Sequence, residues 1–213
     1  RSIWVTGVQT CALPIYVTPA IENNVRAFLS LTRYADRKDV SADVMARLQR
    51  RIPGETREAL EPLGYYEPEV TYEVAQAGEN WQVTLHVNPG RPVRLSEVTI
   101  DIDGPGRDAR PLREIIAAQE LKPGLRLNHG TYEHVKGELL RTAKNEGYLD
   151  ARLTRNELVI DRTERRATIA IGLETGERYH FGKITTVQDV ITDDAMRRLL
   201  RMRELYGDRK SVV

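Results

Sequence analysis

Cysteine is all but missing from this chain: of 213 residues one is Cys, Cys11. A disulfide scaffold and a thiolate metal centre both need cysteines in numbers, so neither can organise this fold. The near-absence suits cytosol and periplasm equally. Large aromatics other than tyrosine are scarce, two Phe and two Trp against nine Tyr. An excess of either charge is lacking as well, with 32 Lys and Arg against 31 Asp and Glu and a net charge of +1. That balance supplies no basic field for nucleic acid. No apolar run approaches the ~20 residues of a membrane helix. What is present, 40% hydrophobic and 30% charged residues, reads as a soluble globular chain of several small modules.

The ends stand apart. The chain opens at Arg1 without a methionine, and Arg1–Ile15 (RSIWVTGVQTCALPI) looks like translated sequencing-adapter read-through. Gly207–Val213 (GDRKSVV) has the same character. Setting both aside removes Cys11 and Trp4 and leaves any targeting segment upstream and unread.

A stretch said twice organises the remainder. Gly90–Thr99, GRPVRLSEVT, returns as Gly176–Thr185, GERYHFGKIT, at a spacing of 86 residues (176 − 90). In both copies apolar residues alternate (Val93 and Leu95; Tyr179 and Phe181) and then change parity, at Val98 and at Ile184. Alternation marks a half-buried strand, and the parity change marks a bulge. A second echo, GYYEPEVTY at Gly64 and GYLDARLTR at Gly147, lies 83 residues apart (147 − 64). A period of this length exceeds that of solenoid repeats and indicates tandem small domains.

Each period has one plan. Ile21, Val25, Phe28 and Leu29 lie on one face of a short helix, and Ser41 caps a longer one bearing Val44, Leu48 and Ile52. Pro53-Gly54 is expected to kink or restart that helix. Gly64 and Gly147 fall where left-handed helix caps belong. Tyr66–Val74 and the strictly alternating Trp81–Val87 then make a hairpin. In the second period Val98, Ile100 and Ile102 form a first strand, Leu112–Ala118 a short helix and Tyr132–Ala143 a longer one. Leu149–Ile160 and Ala167–Leu173 form its hairpin. A third period opens with Ile184–Val187 and a helix from about Thr192.

A strand, two helices and a hairpin, with Gly-Tyr before the second strand and a glycine-led joint after the third, resemble the POTRA domain. The wording narrows this to the TamA family of outer-membrane translocation and assembly proteins, relatives of the barrel-assembly protein BamA. NVRAFL (Asn24–Leu29), ALEPLGYYEPEV (Ala59–Val70), NHGTYEHVKGELL (Asn128–Leu140), NEGYLDA (Asn145–Ala151) and TGERYHFGKI (Thr175–Ile184) carry that resemblance. It implies an α+β fold of tandem β-α-α-β-β units, each a three-stranded mixed sheet covered by two helices. The expected modules are residues 17–91, whose first strand is missing or altered, 92–177, and a truncated third at 178–206. The resemblance also implies a place on the periplasmic side of the bacterial outer membrane. Membrane contact would come only through a C-terminal barrel that this stretch does not include. The implied partners are unfolded outer-membrane or autotransporter proteins and a TamB-like inner-membrane protein.

The residues themselves leave little chemistry to place. Gly104-Pro105-Gly106-Arg107-Asp108-Ala109 fits G-x-G-x-x-A between a strand and a helix, the setting of a dinucleotide site. Turn chemistry at Leu121–Thr131, where a parallel strand ending in an acid should follow, and the prolines Pro105 and Pro111 argue against it. His134 and Glu138 stand one helical turn apart, and a solvated helix face accounts for them. No nucleophile, base or ligand set converges, so no catalysis, cofactor or metal is expected. Binding through sheet edges is the expectation that remains. In the resembled fold the third strand is central and the second is an edge. The edge candidates are therefore Val70, Thr71 and Tyr72, and, as the better one, Arg152, Leu153, Thr154 and Arg155. Gly64, Gly147, Gly90 and Gly176 are the structural signatures. Two alternatives stay open: a POTRA-bearing secretion or division protein without a barrel and, more remotely, a dinucleotide-binding enzyme.

Overall fold

The structure, a computed structural model, describes residues 3–9, 18–35, 37, 40–77 and 80–182. Helix signals in the first half are local. Pro19 opens α1 (Pro19–Phe28) in its first turn, where a missing N–H costs nothing. Ser41 caps α2 (Ala42–Leu60), its hydroxyl accepting from the Val44 N–H at 3.4 Å. Met45, Leu48, Ile52, Thr56, Ala59 and Leu60 form one buried stripe along α2, the spacing of a core-facing helix. Pro53 lies inside α2, which runs on unbroken. The expected restart is corrected: one continuous packed stripe outweighs the roughly 3 kcal/mol that an interior proline costs.

The helices cover a sheet of order β1-β3-β2. Strands β2 (Glu69–Ala77) and β3 (Asn80–Asn88) pair antiparallel without a register break, from Glu69 opposite Asn88 to Ala77 opposite Asn80. Val83, Leu85 and Val87 of β3 are fully buried against Ile21, Val25 and Met45 of the same core. Each contributes about 1.5–3 kcal/mol through burial. Alternation with period two places these three on one face, so the sheet can wet its other side.

Strand β1 (Ile3–Gln9) lies parallel to β3, with an irregularity between Val5 and Val8. Of the two expectations for the first strand, missing or altered, it is therefore not missing, and not all of residues 1–15 stands outside the fold as expected. Main-chain pairing tolerates sequence, and the free edge of β3 accepts a β-branched stretch such as Ile-Trp-Val-Thr-Gly-Val-Gln, with the bulge at Thr6-Gly7.

The second core repeats the arrangement in the order β4-β6-β5. Strand β4 (Arg94–Asp103) runs parallel to β6 (Arg166–Glu174), and β5 (Arg152–Asp161) antiparallel to it. A register shift between Leu95 and Glu97 coincides with the parity change in the sequence. Helices α3 (Arg110–Ala118) and α4 (His129–Asn145) cover this sheet, and the Asn128 side chain caps α4 by accepting from the Gly130 and Thr131 N–H groups. Leu112, Leu127, Leu139, Ile169, Ile171 and Leu173 fill the centre. Both halves are thus α+β units with a three-stranded mixed sheet and two helices. The expected strand Ile184–Val187, the helix after it and the rest of the expected third module fall outside the described residues, as does Gly207–Val213.

Candidate functional site

Two features stand out as surfaces for interaction: the outer strands of the sheets, and the joint between the cores. Strands β2 and β5 are both sheet edges. On β2, Val70 and Tyr72 are half-buried over the first core while Thr71 and Glu73 face solvent. The strand begins at Glu69, after Pro68, rather than at Tyr66. On β5, Arg152, Thr154 and Arg155 are exposed and Leu153 is half-buried. The register slips between Leu153 and Arg155, so Thr154 is an extra residue with no ladder partner. An ideal Cβ at Gly172, across the ladder, would come within 2.8 Å of Thr154 Oγ1. Glycine there makes room for the bulge. A bulge twists an edge and interrupts its donors, so β2 presents the more regular edge of the two.

The joint grows from the ends of the long helices. Beyond α2 the Tyr65 N–H donates to Leu60 O at 3.1 Å and the Gly64 N–H to Glu61 O at 2.9 Å. Beyond α4 the Tyr148 N–H donates to Ala143 O at 3.0 Å and the Gly147 N–H to Lys144 O at 3.1 Å. These paired bonds are the Schellman closure, which needs a left-handed residue. Gly64 has φ 85° and Gly147 φ 96°. Each capping glycine then holds the next linker: Val93 N–H donates to Gly64 O at 2.8 Å, and Tyr179 N–H to Gly147 O at 2.7 Å. Gly90 (φ 72°) and Gly176 (φ 65°) turn the chain beside Glu67 and Asp150. The two sequence echoes therefore meet in space, at both joints.

At the first joint the second unit adds a clasp. The Tyr66 ring packs into the second core, though it follows the helix of the first. Its hydroxyl shares a 2.7 Å hydrogen bond with His129 Nε2. Arg162, from the β5–β6 turn, stands 5.1 Å over the Tyr66 ring and 3.9 Å from Glu61. Arg126 lies 5.4 Å over the Tyr65 ring and donates to its hydroxyl at 3.0 Å. Burial pushes the Tyr66 phenol up to about 12, Glu61 adding to the effect and Arg162 opposing it. Burial also lowers the His129 pKa, against the pull of Glu61 and Glu133. Sequence reading assigned Tyr66 to a strand and missed the clasp. The doubled tyrosine after Gly64 is the signal that could have shown it, since one aromatic is enough for one core.

The glycine-rich loop is filled by the protein itself. The Gly106 N–H donates to Thr175 Oγ1 at 3.0 Å, and a Cβ at Gly106 would lie 2.7 Å from Thr175 Cγ2 and 2.9 Å from Tyr148 Cζ. Those glycines serve close packing. His134 Nε2 sits 3.6 Å from Glu138 Oε2 on an exposed helix face. Among the described residues no three His, Cys, Asp or Glu side chains converge as metal ligands. No described helix is long and apolar enough to cross a membrane.

Residues 17–89 match the family model described as POTRA domain TamA domain 1. Among solved structures the chain is similar to POTRA3–5 of BamA from Haemophilus influenzae, at 15% identity and TM-score 0.41, over 83% of this chain and 75% of that one. It is similar to POTRA1–2 of the periplasmic domain of Omp85 from Anabaena at 17% identity and TM-score 0.34, over 83% and 94%. BamA from Haemophilus ducreyi lacking POTRA domains 1–3 aligns at 14% identity and TM-score 0.39, over 82% of this chain and 29% of that one. The first unit, residues 17–89, thus matches a POTRA domain of the TamA domain 1 type, and the second unit repeats its architecture.

Proposed function

We propose that the chain is part of the periplasmic arm of an outer-membrane assembly and translocation protein, and that it captures unfolded β-strand clients by edge pairing. Clients of this chemistry are segments of outer-membrane and autotransporter β-proteins, and a TamB-like inner-membrane protein is the proposed partner. The function is binding, not catalysis. The observation that carries the reading is the edge strand β2, whose ladder to β3 is unbroken over its whole length while, among the described residues, no strand lies on its other side. Such an edge offers main-chain donors and acceptors to any extended chain. Sequence tolerance of this kind is what a protein serving many clients needs. The β5 edge, with Arg152, Leu153, Thr154 and Arg155, is the secondary candidate because of its bulge.

Main-chain N–H groups on an edge strand point alternately toward the neighbour and away from it. Proline at adjacent positions therefore separates the two directions. Of Thr71→Pro and Tyr72→Pro, the one that deletes an inward donor should lower the melting temperature. The other should fold normally and bind a urea-unfolded autotransporter β-domain several-fold more weakly in a pull-down titration. Undiminished binding by the folded variant would mean that β2 is a solvated edge and the units are spacers.

A further inference from the structure

The chain as a whole carries a net charge of only +1, yet one hollow gathers three guanidiniums and, among its described lining residues, no acid. The hollow holds about 370 Å³ on the helical side of the first unit. One wall is α2, where Val44, Arg47, Leu48 and Arg51 share a face at the spacing of successive helical turns. The other is the 3-10 turn Ser30–Tyr34 and the segment after it, which supply Tyr34, Arg37 and Val40. Val40 and Leu48 are buried and form an apolar floor, and the Arg37 guanidinium stands 5.0 Å over the Tyr34 ring.

The walls are tied together. Through one oxygen the Glu55 carboxylate accepts from the Ser30 N–H at 2.7 Å and the Ser30 hydroxyl at 3.0 Å; the other lies 3.0 Å from Arg51 Nε. Trp81 of β3 donates its indole N–H to Val40 O at 3.1 Å. The hollow is therefore preformed, and its volume suits a small ligand or a short peptide segment. Its charge is not balanced. Glu55 is a single carboxylate, shared with Ser30, and of the three guanidiniums it meets Arg51 alone. Arg47 is exposed one turn from Arg51 with no acid beside it among the described residues, and like charges at that spacing oppose each other. A guanidinium is weakly hydrated and matches a carboxylate with two parallel bonds.

We propose that this hollow is a docking site for an acidic peptide segment carrying one apolar side chain. Its carboxylates pair with Arg37, Arg47 and the terminal nitrogens of Arg51, and its apolar side chain rests on Val40, Leu48 and the Tyr34 ring. Two features choose this occupant over a bare anion. The floor is apolar and would stay wet beneath a phosphate, and the cations stand on two walls, where successive carboxylates of one chain can meet them. Arginine clusters read acidic motifs in this way. Side chains specify the match, so the site selects one partner, whereas a sheet edge accepts many. The inference does not depend on client capture at β2.

The test is a fluorescence-anisotropy titration of the full chain with a labelled peptide that holds a phenylalanine between two pairs of glutamates. The peptide should bind saturably, and raising the salt from about 50 to 500 mM should weaken binding strongly. Arg47→Glu should weaken it at least about tenfold, and serine in place of the phenylalanine should weaken it several-fold. Arg141→Glu, the same change of net charge at an exposed position of α4, should leave it unaltered. Circular dichroism checks that each variant folds, and Arg47→Gln replaces the reversal if that unsettles α2. Absence of saturable binding, or equal weakening by Arg47→Glu and Arg141→Glu, would overturn the proposal. Displacement of the peptide by an equal concentration of inorganic pyrophosphate would also overturn it, by marking an anion site only. So would Arg47-dependent capture by phosphatidylglycerol vesicles in the absence of peptide binding, which would mark a membrane contact.

Discussion

Four glycines hold the joints, and they are not equivalent. A left-handed φ costs an L-residue roughly 1–2 kcal/mol, a penalty that alanine would meet at Gly64, Gly147, Gly90 and Gly176 alike. Surroundings then separate them. A Cβ on Gly64 would strike the Leu127 carbonyl, which is main chain and fixed in the second unit. On Gly147 it would lie 2.9 Å from Tyr179 O, in the linker, and on Gly90 and Gly176 it would meet its neighbours at 3.1 and 3.2 Å. Urea unfolding should therefore rank Gly64→Ala as the most damaging, above the roughly 1–2 kcal/mol of strain alone, with Gly147→Ala next. Equal losses at Gly64 and Gly90 would show that φ, and not the joint, sets the cost. The positions of these glycines were legible in the sequence because a positive φ restricts the choice of residue. What presses against each was not, since Leu127 lies 63 residues beyond Gly64 (127 − 64).

Among the elements, those with a clean period were readable and those decided by a distant partner were not. Val83, Leu85 and Val87 alternate in the sequence and are buried as alternation requires. The bulge after Leu95 was visible as a parity change. The slip at Thr154 was visible only as a loss of alternation, and it leaves β2 as the more regular sheet edge. Pro53 and Tyr66 misled for one reason: the packed stripe along α2 and the second core override the local signal. The strand at Ile3–Gln9 is the sharpest case, for a segment set aside by its wording occupies the parallel place beside β3. Deleting residues 1–15 uncovers that edge. The first unit should then melt lower, by about 4–8 °C for each kcal/mol lost in a domain of this size. Amide exchange should quicken in β3 and stay unchanged in β6. Unchanged exchange in both strands would return Ile3–Gln9 to the status of a bystander.

On the scale of the whole molecule, the first joint decides whether two units act as one arm. Tyr66 spans them, fastened by its hydroxyl to His129 and by its ring to the second core. His129 gives that fastening a pH dependence whose sign can be worked out. Burial holds its folded pKa below the ordinary value, Glu61 and Glu133 only partly offsetting the effect. The folded joint thus prefers neutral imidazole, while an unfolded chain takes up its proton near pH 6.5. The stabilisation is complete above that pH and declines as pH falls through the unfolded value toward the folded one. A proton on His129 also forces the Tyr66 hydroxyl to accept. Lowering the pH from 7.5 to 5 should therefore loosen the joint before it unfolds either core. Small-angle scattering should register a wider spread of distances between the units, and Tyr66→Phe should already show part of that spread at pH 7.5. His129→Gln, which cannot take up the proton, should lose most of the dependence between pH 5 and 7.5. If the variant follows the same pH curve as the parent, the carboxylates around the clasp titrate instead, and His129 is only a neutral partner.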